Sequence, residues 1–494
     1  MNLNSYKNKI AGLNATYFQN GIHLFFFFVF SAISFLNHYF FRSAALDYGL
    51  SNQALYQFAN FKPAITSMLL SYESAPYLSC HLSFWVPLLS PFYWLFGSYT
   101  LLIFQNLALV FAGFGLVKLG KYFGISDWLL CLVLVQFYAS FAIYSAVSFD
   151  YHDNVIGACF LPCLFYYFLK DNWKLTVLCF LAVLISKENM AILLGFVSLA
   201  FLVIKPRVSK VSYLIPISFF LLSLIWFMVS SFYIIPSLNN TGTFDQIGRY
   251  SHLGSNLQEI ISYIFTHPVK MFRMFFESHI QPDPDEKVKM EFLKVLFISG
   301  GIALIRKPAF LWMALPIFIQ KLWNKELGFW GLSYHYQIEL APLVSLAILF
   351  WLKDIKASHL RLFLMLFLSI STVVITLRKM DHKYCESKPV NENLFLKAHY
   401  QAAFDLKKVM KGLETIPEDA AICAQANLLP HLAMRDKAYH FPILRDANYL
   451  LVLDPGMNCY PLNETEARAL LDTMRIGKEW KEDSSYLPLR IFKK

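Results

Sequence analysis

Apolar runs of roughly 20 residues recur along this chain, each long enough to cross about 30 Å of hydrocarbon. A backbone in lipid has no water to bond to, so such runs close their own hydrogen bonds as helices. Charged residues make up only 15% of the sequence, against roughly 25% in soluble proteins. The chain therefore reads as an α-helical polytopic membrane protein. Runs at residues 21–41, 101–119, 128–147, 155–169, 175–185, 190–204, 211–235, 292–305, 309–320, 338–352 and 360–377 predict about eleven transmembrane helices. The first run is long and lacks a small-residue cleavage site, so it reads as a retained span and not a signal peptide.

Basic residues set the phase. Lys7 and Lys9 precede the first run, and Lys118, Lys121, Lys170, Lys174, Lys205, Arg207, Lys210, Arg306, Lys307, Lys353, Lys356 and Arg361 fall in alternate connections. They share a side with the N-terminal tail only if residues 81–96 do not cross. That stretch (HLSFWVPLLSPFYWLF) is rich in rings and carries two prolines, which suits an interfacial or re-entrant helix. The phase predicts a cytoplasmic N-terminus and an extracytoplasmic C-terminus. Because the formal charge of +10 lies largely in these clusters, it does not point to nucleic acid.

The expected organisation is a transmembrane part over residues 1–380, with outer loops at 42–98 and 236–290, and a small soluble α/β domain over 391–494. Residues 48–61 and 255–276 have apolar side chains near helical spacing and predict helices lying on the membrane surface. In the tail, 420–425, 438–441 and 449–454 read as strands, with 427–433 and 464–475 as helices. Of eight cysteines, Cys131, Cys159, Cys163 and Cys179 sit in apolar runs as packing residues. Cys385, Cys423 and Cys459 allow a disulfide that sequence does not assign.

The residues able to do chemistry collect on the side away from the basic clusters. Asp47 follows the first span, either as a functional acid or as the N-cap of the next helix. Asp150, His152 and Asp153 share one turn and suit a divalent cation or sugar hydroxyls, although Asp153 also suits a helix start. Lys187 and Glu188 interrupt a long apolar stretch. They read either as an ion pair at a helix end or as a phosphate-binding lysine positioned by its neighbour. Tyr334 and Tyr336 suit an interfacial aromatic belt, which leaves His335 unexplained. Arg249, His252, His267, Arg273 and His279 offer cationic contacts in the second outer loop, or an ordinary solvated surface.

These motifs, taken in order, resemble the DUF2079 family of membrane proteins. The matching pieces are residues 46–56 (LDYGLSNQALY), His81-Leu82-Ser83 ahead of 91–96 (PFYWLF), and Phe149-Asp150-Tyr151-His152. Ser186-Lys187-Glu188-Asn189, Tyr334-His335-Tyr336 with Ala341-Pro342, and 424–432 (AQANLLPHL) complete the set. The chain departs from the family pattern at Leu46, at Asp153-Asn154 and at Asn189. The family's plan is similar to that of GT-C glycosyltransferases. That likeness implies inverting transfer of a sugar from a polyprenyl-phosphate donor to a glycan, lipid or protein acceptor, outside the cytoplasmic membrane of a bacterium. Asp47 would be the catalytic base, with His81, Asp150, His152, Lys187, Glu188, His335 and Tyr336 binding substrate. A metal is an open point: Mg2+ or Mn2+ on Asp47, Asp150 and Asp153 is one option. Two other classes compete, a lipid or solute transporter (flippase) and a non-catalytic envelope assembly protein.

Overall fold

The computed structural model describes residues 3–70, 74–205, 211–239, 241–280, 287–381, 393–453, 459–477 and 479–494. Arg207, Lys210, Cys385 and Asp454 lie outside the described residues. The chain is mostly helical, with a five-stranded sheet near the C-terminus.

By length and composition, four stretches can cross a membrane: Asn14–Tyr39, Trp85–Tyr122, Tyr213–Leu238 and Ser358–Lys379. A fifth joins them if Asp127–Tyr138 and Phe141–Ser148, bent by 45°, form one span. The expected count of about eleven is not reached. Other apolar runs do form helices, but Trp173–Leu184 has 12 residues and Met190–Ile204 has 15, short of the roughly 20 that a straight crossing needs. The stretch expected not to cross, 81–96, is continuous with the helix that follows it. Trp85–Leu89 and Tyr93–Phe96 are short helices linked by 3-10 turns to Thr100–Tyr122. Pro87 and Pro91 cannot donate into a helical ladder, which accounts for the broken rod.

Small residues let the helices approach. A Cβ at Gly115 would lie 2.8 Å from Pro162, and one at Gly157 would strike the Ser186 hydroxyl. The basic groups gather at one end of the bundle. Lys205 pairs with Asp171 and bonds the Phe168 carbonyl, Lys170 lies over Tyr122, and Lys353 lies over Phe123.

The segment 48–61 is not a surface helix. Leu50–Ala59 is buried along most of its length, packed between the bundle and the C-terminal sheet. The segment 255–276 keeps its expected two-faced character as Leu257–Thr266 and Pro268–Arg273, broken at Pro268. Ile260 and Met271 face inward, while Phe265, Val269 and Phe272 are exposed.

In the sheet, Ala438–His440, Ile422–Ala424 and Tyr449–Val452 run parallel, and Arg490–Lys493 and Lys481–Asp483 add antiparallel. Strand alternation sorts the side chains. Ile422, Ala424, Leu451 and Ile491 pack with Phe41, Leu50 and Met68 of the first loop. Cys423, Leu450, Val452 and Phe492 pack under Glu464–Ile476. Cys423 is a free thiol, and Cys459 Sγ accepts from Gln425 Nε2 at 3.2 Å. Asn463 caps that helix, accepting from Glu466 N at 2.9 Å. Arg42 fastens the tail to the first span. Its guanidinium donates to the carbonyls of Ala398, His399 and Gln401 at 2.9, 2.9 and 3.0 Å.

Candidate functional site

The helix ends away from the basic groups surround two adjoining cavities. The larger, about 800 Å³, is lined by Asp47, His81, His152, Asp153, Lys187 and His335, with Tyr336 at its edge. The smaller, about 240 Å³, is lined by Glu188 and aromatic and amide side chains. His81, Lys187, Arg249, His335 and Tyr336 border both, and so form the neck between them.

Asp47 sits inside a five-residue π-helical turn, Ala45–Gly49, whose N-cap is Ala44. The next helix starts at Leu50 with Gly49 as N-cap and no side-chain cap bond, so Asp47 does not fill the capping role. Such π turns are frequent where a side chain must be re-aimed. Asp150 does not line either cavity. Its carboxylate accepts from the Ala44 amide at 3.1 Å, just ahead of the π turn, so it holds the segment that carries Asp47. Gln105 clamps the Asp150 turn from both sides: Nε2 donates to the Asp150 carbonyl at 3.0 Å and Oε1 accepts from His152 N at 2.9 Å. Asp150 and Tyr334 both lie at positive φ, 96° and 65°. Such backbones are strained for residues with a Cβ and persist only where neighbours enforce them. Here the enforcement includes a ring stack, with Phe149 beside Tyr334 and His152 on His335 at 3.5 Å between centroids.

Glu188 does not hold Lys187 as the sequence suggested. It is 1% exposed and accepts from His81 Nδ1 at 2.8 Å and Leu82 N at 3.2 Å. Burial pushes its carboxyl up, but the His81 ring and the Lys187 charge outweigh that and hold it down to about 2. Burial and the Lys187 charge lower the His81 imidazole, against the pull of Glu188. An ionised carboxylate only accepts, so in the neutral ring Nδ1 carries the proton and Nε2 keeps its lone pair. His335 is held well below the usual imidazole range by burial, then by His152 and Lys187. Asp153 opens the helix Asp153–Cys159 and accepts from the Tyr151 hydroxyl at 2.7 Å.

Lys187 makes no hydrogen bond or close ion pair among the described residues. Burial lowers its ammonium, against the pull of Glu188. Arg249 shares the neck, with only a 3.6 Å approach to Glu326 and a stack on Phe329. Two under-compensated cations at a neck form an anion site. In the smaller cavity the Asn154 amide donates to Glu339 at 2.7 Å and the Asn189 amide to Gln320 at 2.9 Å. Their Oδ1 atoms, Asn324 Nδ2 and His335 Nδ1 are buried without a partner among the described residues. Each such group costs roughly 1–3 kcal/mol.

No cluster of three His, Cys, Asp or Glu side chains suited to a metal occurs among the described residues. Asp150, one of the three acids considered for a metal, accepts from the Ala44 amide and does not line the larger cavity. Sequence reasoning missed the His81–Glu188 pair, since the partners are 107 residues apart. It also missed two buried lysines, Lys289 and Lys321, which bond loop carbonyls at Met274, Leu322, Phe329 and Gly331. These shape the neighbouring loop and do not line the larger cavity.

No curated protein matches the chain. The family model for DUF2079, described as a predicted membrane protein, matches residues 37–464, which takes in every residue of the two cavities named above. The chain therefore belongs to the DUF2079 family of predicted membrane proteins.

Proposed function

We propose that this protein is an inverting glycosyltransferase that moves a sugar from a polyprenyl-phosphate donor to an acceptor hydroxyl at the outer side of a bacterial cytoplasmic membrane. The observation that carries this reading is the neck. Asp47 borders the larger cavity, and two cations, Lys187 and Arg249, stand where it meets the smaller one. The acceptor hydroxyl loses its proton to Asp47 as its oxygen bonds the anomeric carbon. The carbon–oxygen bond to phosphate breaks, and the lipid phosphate leaves with the electron pair. Lys187 and Arg249 stabilise the charge that develops on it. A base so placed contributes roughly 10²–10⁴-fold in rate. Membrane lipids supply the donor, and the acceptor is a glycan, lipid or protein.

The test compares envelope glycans and lipid-linked sugars by mass spectrometry in three strains: a deletion, its wild-type complement, and an Asp47→Asn complement at matched protein level. We expect deletion and Asp47→Asn both to lose one sugar from an acceptor while its lipid-linked donor accumulates. If Asp47→Asn restores every species that deletion changes, Asp47 is not a base, and a transporter or an assembly protein becomes the better account.

A further inference from the structure

The smaller cavity has a chemistry of its own. Its lining combines rings, among them Phe227, Phe244, Tyr250, Phe329 and Tyr336, with the amides of Asn154, Asn189, Gln320 and Asn324 and the carboxyl of Glu339, which accepts from Asn154. An amide both donates and accepts, so it matches a hydroxyl whichever way that hydroxyl turns. A ring face covers the C–H face of a pyranose through apolar contact. A purely lipid-binding cavity has no use for these amides, because polar groups buried against hydrocarbon go unsatisfied. Here, three of those amides and His335 retain a buried polar atom with no partner among the described residues. At about 240 Å³ the space suits one small ring and not an oligosaccharide.

We propose that this cavity is a monosaccharide-reading subsite, and that Asn189, with Gln320 behind it, sets which sugar is accepted. The proposal rests on the transferase reading for its biological use, but the site itself is a binding claim. Asn189 is well placed for selection. One end of its amide is fixed by Gln320 at 2.9 Å, which leaves Oδ1 for an incoming hydroxyl or N–H. The adjoining Lys187 and Arg249 then meet whatever anionic group the sugar carries at its linked position.

The experiment uses the full chain in lipid nanodiscs. Saturation-transfer NMR is run with methyl glycosides of neutral hexoses, 6-deoxyhexoses and N-acetylhexosamines, each without phosphate or lipid. We expect one stereochemical class to bind. Asn189→Leu should weaken it at least tenfold, while a change at the exposed Lys174, Lys174→Ala, leaves it unchanged. Ile192→Trp fills the cavity without removing an amide, and it should abolish binding even if Asn189→Leu fails to fold. Two results overturn the subsite: no glycoside binds, or binding is indifferent to both Asn189→Leu and Ile192→Trp. The two ideas fail separately. Glycoside binding with an inert Asp47 removes the transferase and leaves the subsite. Sugar transfer in the strain comparison with no glycoside binding removes the subsite alone.

Discussion

Replacing Glu188 by Gln should expose how much the site costs and gives the fold. The native carboxylate is 1% exposed and holds both His81 Nδ1 and Leu82 N. A carboxyl held at about 2 instead of 4.5 is worth roughly 3 kcal/mol of stability at neutral pH. The glutamine keeps the shape and one acceptor, so we expect Glu188→Gln to lose about 2–3 kcal/mol. The sign of the pH effect follows from the direction of the shift. The folded carboxyl is depressed, so its contribution is full above the unfolded value of 4.5 and fades as pH falls toward 2. Thermal or denaturant unfolding of both proteins in detergent should therefore show a clear gap at pH 7 that closes between pH 4.5 and 2. A gap that stays constant across that interval would refute an ionised Glu188 bonded to His81.

Two further substitutions separate function from stability. Burial lowers the Lys187 ammonium, so its charge works against folding, and Lys187→Met should melt at or above the wild-type temperature while losing sugar transfer; a large drop in melting temperature would show that the lysine is structural. Arg42→Lys keeps the charge but cannot span three carbonyls with one planar fork, so limited proteolysis should release a C-terminal fragment many times faster than from the native chain, and unchanged kinetics would discount the clamp.

The sequence carried the membrane class and the sheet because both depend on local patterns. Continuous apolar strands such as Tyr449–Val452 are legible when both faces are covered. Lys481–Asp483 was not, since it is a charged edge held by Glu482 to Arg475 and Arg490 at 2.7 Å. Residues 48–61 misled because a helix buried by a distant part of the chain shows the same periodicity as one resting on lipid. The span count of about eleven is not confirmed for a related reason. Helices such as Trp173–Leu184 carry the apolar composition of spans without the length, and periodicity does not distinguish a short packed helix from a crossing one. Candidate residues could be named from their type and position, whereas their pairing could not: nothing local in Ser186-Lys187-Glu188-Asn189 says that the acid turns to His81 and leaves the lysine alone.

That division of partners is the physical core of the functional proposal. If Glu188 had paired with Lys187, the neck would be neutralised, and a cation so compensated would bind an anion only after breaking an internal bond. Because Glu188 instead spends both oxygens on His81 and Leu82, Lys187 keeps its charge uncommitted in a half-buried setting, where electrostatic interactions are stronger than in water. Asp150 acts similarly at one remove. By binding the Ala44 amide it takes no share of the cavity, so Asp47 and Asp153 carry the acidic side while Lys187 and Arg249 carry the basic side. The proposed transfer needs an acid to accept a proton and cations to meet a leaving anion in the same site. A site in which they collapsed onto each other would be more stable and chemically inert.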